Sequence, residues 1–219
     1  MTIFNPKLLI VEGKNEELLI PELIEKAGVY WGTKDESAKW PAKIVQTGGI
    51  DTILEPGFIE AQLNTPGLKT LGILVDANSD PKKRWKIISQ NASKSFSQLP
   101  PELPATGLVM QNEEGLRFGV WLMPNNVLPG MSETFLTGIA QESNAGLWKL
   151  TQTYCADAKS LHQAPYHDAH LDKALIHAWL SVQDPPGDQM HRAVRSKILN
   201  AKSSYAAPFI VWFRNLFQV

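Results

Sequence analysis

Three observations predict an α/β fold built on a mostly parallel sheet. Short apolar or β-prone runs recur at 8–11, 44–46 and 71–75. Segments with helical spacing separate them; the first and third runs stop at an acid and the second just before a Gly-Gly turn. Uninterrupted apolar runs are the pattern of strands buried on both faces, and their alternation with helices implies parallel crossovers.

Leu8-Leu9-Ile10-Val11 is the first strand. Asn15 is the expected cap of the next helix, with Glu16 and Glu17 in its first turn, where the helix dipole favours acids. Leu19, Leu23 and Ala27 continue at helical spacing, and Pro21 is expected to kink or split that helix. A second strand covers 44–46 and closes at Gly48-Gly49; a helix broken by Pro56-Gly57 follows over 51–63. Leu71-Gly72-Ile73-Leu74-Val75 is the third strand, ending at Asp76. A helix from Pro81 carries Trp85, Ile88, Ala92 and Phe96 along one core face.

The pattern then changes. Residues 99–104 form a stiff, proline-rich connector. Segments 107–111 and 116–123 flank Asn112-Glu113-Glu114-Gly115 as a hairpin, so the sheet becomes mixed. Ser132 is expected to cap a helix containing Glu133, Phe135, Leu136 and Ile139. From about 145 onward the chain reads as helical, including a helix over 191–200 and a terminal aromatic stripe of Phe209, Trp212, Phe213, Leu216 and Phe217. The resulting division is an α/β domain over 1–143 and a helical extension over 144–219 packed on it.

Composition narrows the function. With 21 Lys+Arg against 22 Asp+Glu the formal charge is −1, which excludes a polycationic nucleic-acid coat. One cysteine, Cys155, cannot make an internal disulfide. No apolar run reaches the roughly 18 residues of a membrane span, so the cytoplasm is the expected compartment and no membrane partner is expected.

Chemistry is expected at the carboxyl edge of the parallel sheet, where strand ends meet helix starts. Val11-Glu12-Gly13-Lys14 and Val75-Asp76-Ala77-Asn78-Ser79-Asp80 deliver acids there. Two facing carboxylates repel unless they share a proton or a cation. Mg²⁺ suits such hard oxygen ligands and needs only one or two protein carboxylates.

Residues 8–16, around Glu12, and 72–78, around Asp76, with 120–126 and Gly130-Met131-Ser132-Glu133, resemble the topoisomerase–primase (TOPRIM) fold. The pattern is similar to an uncharacterised TOPRIM-like family related to the nuclease domains of overcoming-lysogenization-defect proteins. The likeness reaches the carboxyl-terminal segments 174–180 and 209–217 and so covers most of the chain.

The resemblance implies Mg²⁺ (or Mn²⁺) as cofactor. It makes Glu12 the general acid/base and Asp76 the first member of a metal-binding aspartate pair. The second member falls on Asn78, a departure that lowers the charge; Asp80 is a substitute, and Glu133 matches an added acid of nuclease-type relatives. Lys14 and Lys82 are candidate phosphate contacts. Each has a plainer reading: acids at such turns cap helices, and lysines there are solvated. The Lys82-Lys83-Arg84-Trp85-Lys86 run and the pair Arg192 and Arg195 are read the same way.

His162, His167 and His170 are too loosely spaced for a firm zinc reading, and His177 reads as a core or edge histidine. The expected activity is Mg²⁺-dependent phosphodiester or phosphoryl chemistry on nucleic acid or nucleotide. The alternative is a catalytically silent TOPRIM-like binding or regulatory module.

Overall fold

The computed structural model describes residues 4–219. Five strands form one sheet in the order β2-β1-β3-β5-β4. They are β1 (Lys7–Val11), β2 (Lys43–Gln46), β3 (Thr70–Asp76), β4 (Leu108–Gln111) and β5 (Arg117–Met123). The first four neighbours in that order are parallel, and β4 alone runs antiparallel, against β5. The fold is thus α/β with a mostly parallel sheet, and the expected hairpin closes through Asn112, whose Oδ1 accepts from the Leu116 N–H at 2.9 Å.

Successive strand residues point to opposite faces, and the sheet separates two apolar layers accordingly. Leu9, Val11, Leu74 and Trp121 belong to one layer, while Ile10, Ile73, Val75, Phe118 and Val120 belong to the other. Helices α2 (Ile50–Leu54), α3 (Phe58–Leu63) and α4 (Pro81–Ala92) cover the second face. The first face is covered by α1 (Lys14–Lys26), α5 (Ser132–Ser143), α6 (Ala145–Ser160), α7 (Leu171–Leu180), α8 (Met190–Arg195) and α9 (Ala207–Phe217). None of the described helices is long and apolar enough to cross a membrane.

Helix α9 lies against β3, β4 and β5. Its seat is a pair of glycines, Gly72 and Gly119, in register on adjacent strands. A Cβ on Gly119 would stand 2.6 Å from Leu216 Cδ2, and one on Gly72 3.0 Å from the same atom. The missing side chains let the helix approach the sheet directly. At its carboxyl end, Arg117 Nε donates to Leu216 O at 3.1 Å and Lys7 Nζ to Phe217 O, cations meeting the negative end of the helix dipole.

Several local expectations are corrected. Helix α1 begins at Lys14 after a Gly13 cap, not at Asn15, and runs unbroken through Pro21. Leu19, Ile20, Leu23 and Ile24 are each buried on this helix. Burying them at roughly 1.5–3 kcal/mol each outweighs the roughly 3 kcal/mol that an interior proline costs. Helix α8 stops at Arg195, because Lys197 takes a left-handed conformation (φ 67°) and the chain returns so that Leu199 N–H bonds Ala193 O. His177 is exposed, since α7 turns Leu175, Ile176, Trp179 and Leu180 inward.

Candidate metal-binding and catalytic site

Strand pairing brings the two strand-end acids together. β1 and β3 are neighbours with Val11 level with Leu74, so both chains emerge at the same edge. Glu12 Oε1 accepts a hydrogen bond from the Asp76 backbone N–H at 2.7 Å. Asp76 Oδ1 accepts in turn from the Ser132 N–H at 2.9 Å, so Asp76 satisfies an orphan donor at the start of α5. This displaces the expected cap: Ser132 is the first residue of α5, and its hydroxyl is directed elsewhere.

That hydroxyl donates to Glu16 Oε1 at 2.7 Å and lies 3.3 Å from Glu133 Oε2. Glu16 Oε2 accepts from the Gly13 N–H at 3.1 Å. Glu16, Ser132 and Glu133 are all buried, Glu133 at only 3% exposure. One basic side chain contacts the cluster and another acts on it by charge alone. Lys173 Nζ, from α7, stands 3.5 Å from Glu133 Oε1, and the Arg84 charge favours the ionised form of Glu12.

Asp76 feels the crowding most. Burial, then the negative charges of Glu12, Glu16 and Glu133, push its carboxyl up to about 8, against the opposing pull of the Ser132 N–H. Burial also raises Glu12, with smaller contributions from Glu16 and Asp51, although the Asp76 N–H and Arg84 work in the other direction. A carboxyl that holds its proton as tightly as Asp76 is poised either to stay protonated or to accept a cation.

The remaining candidates stand elsewhere. Asn78 is left-handed (φ 53°) and exposed; its main chain exchanges two hydrogen bonds with Gly130, N to O at 2.8 Å and O to N at 2.7 Å. Asp80 caps α4, its Oδ1 accepting from the Lys83 N–H at 2.9 Å. Lys14 pairs with Glu17, and Lys82 with Glu102 at 2.9 Å. Among the described residues no group of three or more His, Cys, Asp or Glu side chains stands where it could hold a metal ion.

Glu16, the Ser132 hydroxyl and Lys173 are site residues that sequence reasoning missed. Glu16 had a readable signal. With the cap at Gly13 rather than Asn15, it falls at the third helical position, where a glutamate folds back onto the cap N–H. Lys173 had none, because it arrives from a helix some forty positions beyond Glu133 along the chain.

The molecule is therefore an α/β protein with a buried acid cluster at the carboxyl edge of its sheet. The family described as "Protein of unknown function (DUF3226)" matches residues 6–218, and the chain belongs to that family. No curated protein matches it. Among solved structures, the C-terminal region of the Xanthomonas campestris pv. campestris OLD protein is similar at 13% identity and a TM-score of 0.48, over 98% of this chain and 97% of that one.

Proposed function

We propose that this chain is a TOPRIM-like, divalent-metal-dependent enzyme of phosphodiester or phosphoryl chemistry, with a nuclease-like reaction. The observation that carries the reading is the convergence of Glu12, from the β1–α1 turn, with Glu16, Asp76 and Glu133, from α1, β3 and α5, on one sheet edge, with Asp76 pushed up to about 8. The donor set fits Mg²⁺ or Mn²⁺, since every donor is a hard carboxylate oxygen and one or two such ligands suffice. Asp76 is the residue to hold it, with Glu16 and Glu133 adding negative charge around it. Bound there, the ion would stabilise negative charge on phosphoryl oxygens.

The chain's own residues supply the rest. Glu12 is held by the Asp76 N–H and is the group to take a proton from, or return it to, the reacting oxygen. Ser132 fixes the orientation of Asp76 through its N–H and of Glu16 through its hydroxyl. Arg84 provides positive charge on the Glu12 side of the edge.

Calorimetric titration of Mn²⁺ into wild type and Asp76→Ala tests this reading. A saturable site in wild type that disappears in the variant supports it; absence of a site at millimolar Mn²⁺ removes it. Cleavage of mixed DNA and RNA substrates, with Glu12→Gln as control, then tests the proton-transfer role.

A second reading, a catalytically silent binding or regulatory module, is favoured by Asn78 and Asp80. One is a neutral, outward-facing side chain and the other is occupied as a helix cap. Metal binding without any cleavage would select it.

A further inference from the structure

A groove of about 770 Å³ runs between α4 and the proline-rich connector. Chain continuity links it to the proposed site: Pro81 and Lys82 directly follow the aspartate loop, and Val127 belongs to the loop that leads to Gly130, the partner of Asn78. Its two walls differ in chemistry. The helix wall presents Lys82, Lys86, Ser89 and Ser93, spaced four, three and four residues apart and so on one face. The facing wall is mostly apolar, formed by Leu99, Pro100, Pro101, Leu103 and the exposed Val127, with Glu102 as its one charged residue.

The walls are fixed in place. Trp85, buried at 2% exposure, donates from Nε1 to Pro100 O at 3.1 Å and fastens the connector to the helix. Asn126 Nδ2 donates to Ala105 O at 3.1 Å, and Asn126 Oδ1 accepts from the Leu122 N–H at 2.8 Å, tying the far end of the connector to β5. The groove is therefore preorganised on rigid elements.

We infer that this groove binds an unpaired polynucleotide strand, with phosphates along the Lys82–Lys86 side and base faces against the proline–leucine wall. The inference rests on the proposed phosphodiester chemistry and assigns the path by which such a substrate approaches it. Charge complementarity favours a polyanion on the helix side, while the Leu and Pro side chains opposite can pack against exposed base faces, which a duplex buries. From Lys82 to Ser93 the stripe rises about 17 Å, room for about five nucleotides at the roughly 3.4 Å spacing of one stacked strand.

Lys82 spans the groove to Glu102 at 2.9 Å, with both side chains largely exposed. Such a pair contributes little stability, so a phosphate displaces Glu102 readily.

Fluorescence anisotropy of a labelled single-stranded oligo(dT) of about twelve residues, recorded in EDTA, tests the inference. Because no metal is present, the outcome is independent of whether the carboxylates take an ion. Saturable binding is expected, weakened about tenfold in Lys82→Glu/Lys86→Glu and accompanied by a shallower salt dependence. Val127→Asp should weaken it from the apolar side, Glu102→Gln should tighten it, and Lys149→Glu, on α6, should leave it unchanged. No saturable binding, equal affinity in the double variant, or preference for the matching duplex overturns the inference.

Discussion

Asp76 combines three engagements that pull its chemistry in opposite directions. Its N–H is bonded to Glu12, its carboxylate receives the Ser132 N–H, and three other acids crowd it. With a folded value of about 8 against 3.8 for an ordinary aspartate, the folded chain keeps a proton that the unfolded chain releases across that window. Raising the pH from about 4 to about 8 therefore weakens the metal-free fold, and the loss is complete above that range. Asp76→Asn preserves an oxygen for the Ser132 N–H and removes the charge. We expect it to stabilise the metal-free protein at pH 8.5 by at least about 1–2 kcal/mol and to flatten the pH dependence. Thermal melts in EDTA at pH 6 and pH 8.5 provide the check, and an unchanged slope in the variant would contradict the assignment. Asp80 offers the complementary case. As a cap, its replacement by alanine should cost about 1 kcal/mol in urea denaturation while leaving Mn²⁺ affinity intact; a loss of affinity would instead make it a ligand.

At the scale of elements, the glycine pair under α9 sets how closely the helix layer approaches the sheet. Gly119→Val places branched carbon atoms in occupied space, because its Cβ alone would stand 2.6 Å from Leu216 Cδ2 and 3.0 Å from Leu108 O. Overpacking of this kind typically costs about 1–3 kcal/mol. Leu216→Ala in the same chain should return part of that loss, a coupling that chemical denaturation of the double mutant cycle measures. The strands and helices were largely legible because their signals are local. The β3 run and the α9 stripe each state their burial in residue spacing. What escaped was decided by distant partners. Pro21 is tolerated because apolar residues on both sides of it are buried, and Ser132 turns its hydroxyl to Glu16, 116 positions earlier in the chain. The meeting of Glu12 and Asp76 was legible from strand ends, and Asp80 before Pro81 from helix-start chemistry, whereas the left-handed turn at Asn78 and its pairing with Gly130 depended on loop hydrogen bonds that no spacing encodes.

For the whole molecule, the layers over the first sheet face share one apolar cluster with the strands. Phe209, Trp212, Phe213, Leu216 and Phe217 belong to it together with Leu9, Val11, Leu74 and Trp121. We expect a fragment of residues 1–143 to expose that face and aggregate, and adding a peptide of 144–219 to restore native-like circular dichroism. A monomeric fragment with a cooperative melt on its own would show that the α/β part is autonomous. The position of α9 also has a consequence for biogenesis. The face it covers is formed by strands made far earlier, so on the ribosome those strands emerge with their apolar side uncovered. They must wait there for a helix synthesised some ninety residues after β5. Translation at roughly 5–20 residues per second leaves that surface bare for several seconds. A slow codon cluster between β5 and α9 would lengthen this window, and nascent-chain chaperones should engage the protein most strongly while it lasts.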